Sequence, residues 1–249
     1  MSTDDLLVVG MGMVTPFGVG VDASAAAARA GLATFEEGRF VGLNAQRLTS
    51  AEVPTNLLPP LTTGDLPGWS GRQVRLLHLA WVALTEAQAM VGLANDVPLL
   101  VSLPDREEQI RSKPETFLAQ LDRVCGRQPG HSRVVATGRA GGLLALIEAC
   151  ERVRTGIAPA AIAIGVDSYL ASAIIAQLVV EGRVKTEQNS DGFIPSEAAA
   201  AVVICSRDAA ERAGWTPLAR IAGTGSANEP GSLRSGEVCR GNGLTDSIS

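Results

Sequence analysis

Ala160-Ala-Ile-Ala-Ile-Gly-Val166 contains no polar side chain. A strand of that composition is at home only in a sheet covered on both faces. Leu6 to Val9, Val97 to Leu103 and Ala198 to Cys205 are further strand-length runs of mainly apolar residues, and His131 to Thr137 reads as another strand. Helix-like segments fall between or beside them. They run from Asp22 to about Ala30, from about Arg72 to Val91, from Pro114 to Cys125, from Gly142 to Thr155 and from Tyr169 to Val180. In the second of these, Leu76, Leu77, Ala80, Leu84 and Ala87 recur at helical spacing and form one apolar face. Alternation of this kind predicts an α/β fold: a mostly parallel mixed sheet with helices on both faces and right-handed crossovers. The expected unit is a single domain over residues 1–249.

Local punctuation refines that reading. Gly10-Met-Gly-Met-Val-Thr-Pro16 is expected to turn the chain out of the first strand. Asp22 is the expected N-cap of the helix that follows, and Gly31 its stop. Residues 42–71 are rich in proline and glycine without clear periodicity, and predict an irregular surface excursion. Pro217 to Gly225 alternates like a last strand, and residues 227–249 read as a glycine-rich tail.

A formal net charge of -5 gives no basic surplus to hold a nucleic-acid backbone or an anionic membrane. No apolar run reaches the ~18 residues that a membrane span needs. The N-terminus has no basic segment ahead of an apolar one, so the expected location is the cytoplasm. Cys125, Cys150, Cys205 and Cys239 are widely spaced, and His78 and His131 stand alone, so neither a metal site nor a disulfide is expected. No cofactor is expected either.

The Gly10 to Gly18 turn, the Gly142 to Gly156 helix, Gly165-Val-Asp-Ser168, and Lys185 through Asp191-Gly-Phe-Ile-Pro-Ser-Glu-Ala-Ala199 occur in the order seen in β-ketoacyl-acyl-carrier-protein synthases. The chain resembles the N-terminal half of that family's thiolase-like fold from Leu6 to about Ser226. The resemblance implies acyl transfer through a cysteine at the start of a helix. There the unpaired N–H groups and the helix dipole favour a thiolate. It also implies two assisting histidines from a second half, the start of which the segment from Gly243 resembles. His78 and His131 match neither.

Registering Gly142, Ala145, Glu148, Ala149 and Gly156 on the family's helix puts Arg139 where the cysteine should stand. A guanidinium has no lone pair for acyl attack and stays protonated. Arg139 reads either as a solvent-facing replacement or as a gate or anion site. Thr137, Arg139, Gly141 and Gly142 are the candidate binding residues. Asp191, Phe193 and Glu197 read as residues that hold a loop together. Thr137 lacks a neighbouring base in sequence, and Cys150 and Cys205 read as core thiols.

The leading expectation is an impaired or inactive synthase-like protein, similar to chain-length-factor subunits. It would act as partner or scaffold in fatty-acid or polyketide-type synthesis. The family's dimer, carried over, would join as homodimer or heterodimer along residues 132–136, with acyl carrier protein as a further partner. The alternative is an acyltransferase, a 3-oxoacyl-carrier-protein synthase, whose C-terminal catalytic half comes from elsewhere.

Overall fold

A computed structural model describes residues 5–93, 95–104, 114–127, 132–135, 138–231 and 235–248. Nine strands and seven helices are found among them, in the order β1 (Leu6–Thr15), β2 (Gly18–Val19), α1 (Val21–Arg29), β3 (Glu36–Val41), β4 (Arg47–Ser50), α2 (Gly71–Val91), β5 (Leu99–Ser102), α3 (Pro114–Val124), β6 (Arg133–Val135), α4 (Gly141–Arg154), β7 (Ala160–Ser168), α5 (Ser172–Val180), β8 (Glu197–Ser206), α6 (Arg207–Ala213), β9 (Ala219–Ile221) and α7 (Asn242–Ile248).

Seven strands form one sheet in the order β2-β1-β8-β7-β5-β6, with β9 also paired to β1. β5 pairs in parallel with both β6 and β7, whereas β8 runs antiparallel to its two neighbours, β1 and β7. Four strands, β1, β5, β6 and β7, therefore share one direction. The sheet is mixed, with helices on both faces as the alternation predicts.

One face carries α2, α3 and α6 over the larger core, which includes Leu7, Val9, Leu99, Val101, Ile162, Ile164, Ala201 and Val203. The five α2 residues picked out by spacing, Leu76, Leu77, Ala80, Leu84 and Ala87, are all fully buried there. Ser70 starts this helix with a reciprocal capping box: its side chain accepts from the Gln73 N–H, and the Gln73 side chain accepts from the Ser70 N–H. The other face carries α4, through Ala145, Ala149, Cys150 and Val153 against Leu6, Leu100, Ala161, Ala163 and Ile204. A third cluster joins α5 to the β3–β4 hairpin through Phe40, Leu48, Leu170, Ile174 and Leu178.

Several local expectations are corrected. β1 does not turn at Gly10 but runs on to Thr15. Gly10 and Gly12 are there for space: a Cβ would lie 2.7 Å from the Ala87 carbonyl oxygen at Gly10 and 1.9 Å from that of Ala83 at Gly12. The glycines let α2 lie against the strand. Asp22 is not the cap of α1; Gly20 holds that position without a side-chain bond, and Asp22 sits in the first turn.

Residues 42–71 are an irregular surface excursion only in part: residues 59–70 are irregular and none of them is buried, whereas residues 47–58 are tied into the fold. β4 completes a hairpin with β3, and Leu48, Ala51, Val53 and Leu58 are buried. The partners that order this stretch are distant in sequence: Ala51 bridges Ser196, and the Val53 N–H donates to Glu197 at 3.0 Å. α6 was not among the expected elements, although Ser206 caps it and Gly214 ends it in the left-handed region.

Candidate functional site

The chain turns from β6 into α4 through a short 3-10 turn, Gly138–Ala140. Gly138 takes φ +72°, which glycine adopts without steric cost. Ala140 is the N-cap of α4, in the right-handed helical region and without a side-chain cap, so the 3-10 turn runs straight into the helix. Arg139 is exposed at this point and makes no hydrogen bond or ion pair among the described residues. Gly141 is buried and Gly142 exposed. Gly142 lies against β7, since a Cβ on Gly165 would be 3.4 Å from the Gly142 Cα. Two small residues thus bring the helix start down onto the sheet.

A cleft of about 320 Å³ opens beside this turn. It lies at the carboxyl ends of β1, β5 and β7, where open α/β sheets place their ligands. Its floor follows from the strand register: Met13 faces Ala200, Ala200 faces Gly165, and Gly165 faces Ser102. Ala198, Leu103 and Val166 add apolar wall, and Arg139 stands at the rim. Side chains this small leave room that larger ones would fill.

Asp167 brings a carboxylate to the same cleft. It accepts from Arg72 Nη2 at 2.9 Å and from the Ser168 N–H at 2.6 Å. Burial pushes its carboxyl above the ordinary range, against the pull of Arg72, the Ser168 N–H and, more weakly, Arg139. Arg72 also donates to the Ser168 carbonyl at 2.7 Å, so it fixes the end of β7 from the α2 side.

A buried network lies behind the cleft. Glu197, with a side chain 1% exposed, accepts from Arg75 Nη2 at 2.5 Å, from the Ser168 hydroxyl at 3.0 Å and from the Val53 N–H. Arg75 also donates to the Val53 carbonyl and to Thr55 Oγ1. One carboxylate therefore ties together β8, β7, α2 and the segment after β4. Asp191 is exposed and accepts from the Ser190 hydroxyl, whereas Phe193 packs edge-on against Tyr169 with centroids 5.5 Å apart. Sequence reading missed Glu86, whose carboxylate accepts from the N–H groups of Met13 at 2.8 Å and Val21 at 2.9 Å. An acid flanked by the buried Ala83, Leu84 and Ala87 was the available signal.

Thr137 and His131 lie outside the described residues. His78 sits on α2, its Nε2 2.6 Å from the Pro59 carbonyl oxygen, away from the cleft. Cys150 and Cys205 are fully buried in the two cores. Burial pushes both thiols up, Cys205 to about 11, and Cys125 to about 12. Among the described lining residues of the cleft there is no cysteine, histidine or lysine. Ser102 and Thr15 supply hydroxyls there, that of Thr15 lying 2.8 Å from the Ser24 hydroxyl. Among the described residues no group of histidine, cysteine and carboxylate side chains is placed to hold a metal ion, and no helix is long and apolar enough to cross a membrane.

Residues 128–210, which hold the turn, α4, β7 and β8, match the family model described as beta-ketoacyl synthase, N-terminal domain. A search among curated proteins finds no match to the chain. Solved structures match it along nearly its whole length. The oxazolomycin ketosynthase domain OzmH KS7 of Streptomyces albus JA3453 superposes with a TM-score of 0.71 at 18% identity, covering 92% of this chain and 48% of its own. The fold is that of the ketosynthases. A beta-ketoacyl synthase from Burkholderia phymatum STM815 gives 0.70 at 18% identity, with 98% of this chain and 70% of its own covered. A type II polyketide ketosynthase, solved in complex with its acyl-carrier protein AntF, gives 0.67 at 19% identity with the same coverage. The chain thus spans about half the length of the first of these and 70% of the other two, and corresponds to the N-terminal half of the ketosynthase-like fold.

Proposed function

We propose that this chain is a noncatalytic ketosynthase-like subunit that works by association, as partner or scaffold in polyketide-type or fatty-acid synthesis. The observation that carries the reading is Arg139. The turn before α4 keeps the glycine geometry and uncapped helix start that suit an acylation site, yet presents a permanent cation there. The buried thiols of Cys150 and Cys205 are not substitutes. Association has its own support. Among the described residues β6 is the edge of the sheet, so the outer side of Arg133–Val135 is open to pairing with a second copy or a synthase-like partner. Val134 and Val135 on that strand reach the two cores.

Two measurements test the reading. Intact mass after incubation with an acyl thioester of carrier protein is expected to show no adduct. An acyl adduct formed on this chain would establish the acyltransferase reading instead. Light scattering at high protein concentration is expected to show a dimer, or a heterodimer once a synthase partner is supplied. A strict monomer in both conditions would remove the association reading.

A further inference from the structure

A second cavity, of about 390 Å³, lies between α2, the start of α5 and the β3–β4 hairpin, and shares no lining residue with the cleft beside Arg139. Three guanidiniums line it, those of Arg39, Arg72 and Arg75, against two carboxylates, Glu52 and Glu197. Two of the three are committed to the fold. Arg75 is held by Glu197, the Val53 carbonyl and Thr55, and Arg72 by Asp167 and the Ser168 carbonyl. Arg39 is held loosely. Its side chain is 64% exposed, its Nη1 stands 3.7 Å from Glu52 and its Nη2 3.5 Å from the Leu170 carbonyl oxygen, and the group rests over the Phe40 ring. These are long contacts for a group with five donors. Glu197 already accepts from Arg75, the Ser168 hydroxyl and the Val53 N–H, so Glu52 is the lining carboxylate with acceptor capacity to spare.

We infer that this cavity binds a small polyol phosphomonoester, its phosphate on Arg39 and its hydroxyls towards Glu52 and Thr55. The fork of a guanidinium matches two phosphate oxygens with parallel N–H donors, which neither of the present contacts of Arg39 does. Arg72 and Arg75 add fixed positive charge to the wall. α5 begins at the same wall, with Ala171 as an N-cap that makes no side-chain bond, and the dipole of that helix adds to the guanidiniums. The volume lies at the low end of small-molecule sites and leaves room beside a phosphate head. Glu52, Thr55 and Ser172 present polar atoms around that room, which suits hydroxyls better than a hydrocarbon body. The site uses neither Arg139 nor any assembly, so it stands apart from the association reading.

Glycerol 3-phosphate is the probe, titrated calorimetrically into the 249-residue chain at low salt, with glycerol and inorganic phosphate as comparisons. Saturable binding is expected for glycerol 3-phosphate, about tenfold weaker binding for inorganic phosphate, and none for glycerol. Arg39→Gln is expected to weaken glycerol 3-phosphate about tenfold or more, since a charge-assisted bidentate contact is lost. Ser172→Trp, which fills the wall at the start of α5, is expected to abolish binding. Arg47→Gln removes an exposed arginine of the same hairpin that does not line the cavity, and is expected to change nothing. Circular dichroism verifies the fold of each variant, and if Ser172→Trp unfolds, the Arg39→Gln comparison decides the matter. Four results would overturn the inference: no saturable binding of glycerol 3-phosphate, equal affinity of the Arg39→Gln protein, an equal loss in the Arg47→Gln protein, or inorganic phosphate bound as tightly as glycerol 3-phosphate.

Discussion

The two faces of the sheet are built from the same strands and end up with different uses. Under α2, the inward residues Val14, Ala199, Ala201 and Val203 are buried to within a few per cent, and Gly10 and Gly12 bring the helix almost into backbone contact. Under α4, coverage stops partway. One residue along the same strands, Met13, Ala198 and Ala200 are left beside open space. Alternation along a strand thus sends one set of residues to the core and its neighbours to a recess. The closed face stabilises the fold, and the open one is where the chain can meet a ligand.

Five experiments break or sharpen that contrast. The largest effect is expected on the closed face. Gly12→Val places branched carbon where the Ala83 carbonyl already stands, and should cost about 4 kcal/mol or more, seen as loss of the cooperative transition in urea. A protein of unchanged stability would mean that α2 does not pack against β1 this closely.

Next comes the network behind the cleft. Glu197→Ala leaves Arg75 uncompensated and should cost about 3 kcal/mol in the same assay, as broken buried ion pairs do. A loss below about 1 kcal/mol would show that the pair is solvated rather than buried.

The cysteines report both faces at once. At pH 8, alkylation followed by intact mass is expected to modify the exposed Cys239 quickly. Cys150 and Cys205 should react only in denaturant. The same burial has a pH consequence. The folded state holds the Cys205 proton up to about 11, against an ordinary value of 9.0, so it binds more protons than the unfolded chain in that window. Stability should therefore fall as pH rises from 9 towards 11, and Cys205→Ala should flatten that slope. The smallest effect is expected on the open face. Arg139→Gln should leave unfolding within about 0.5 kcal/mol, because the exposed guanidinium makes no described hydrogen bond or ion pair and acts on Asp167 only weakly.

The sequence made the long periodic elements legible. α2, α4 and β7 are where the spacing of apolar residues puts them, because their burial follows from local pattern alone. It misread Gly10-Met-Gly12, since glycine marks both a turn and a close approach, and only the position of Ala83 and Ala87 distinguishes the two. It misread residues 47–58 for a related reason: Val53 and Ala51 are held by Glu197 and Ser196, more than 140 positions away. At the candidate site, Arg139 and the glycines of the turn could be named from the sequence. The floor could not, because Met13, Ala200, Gly165 and Ser102 come together only through strand register.

That register also sets a schedule for synthesis. β1 emerges first, yet its sheet partners other than the two-residue β2 are β8 and β9, with Leu6 opposite Ser206 and Ile221. At a translation rate of about 5–20 residues per second, the opening strand waits about ten to forty seconds before its neighbour exists. Until then Leu6, Leu7, Val8 and Val9 form an unpaired apolar ribbon. A nascent chain stalled before Glu197 is thus the form most exposed to aggregation, and the one for which a ribosome-associated chaperone would matter most.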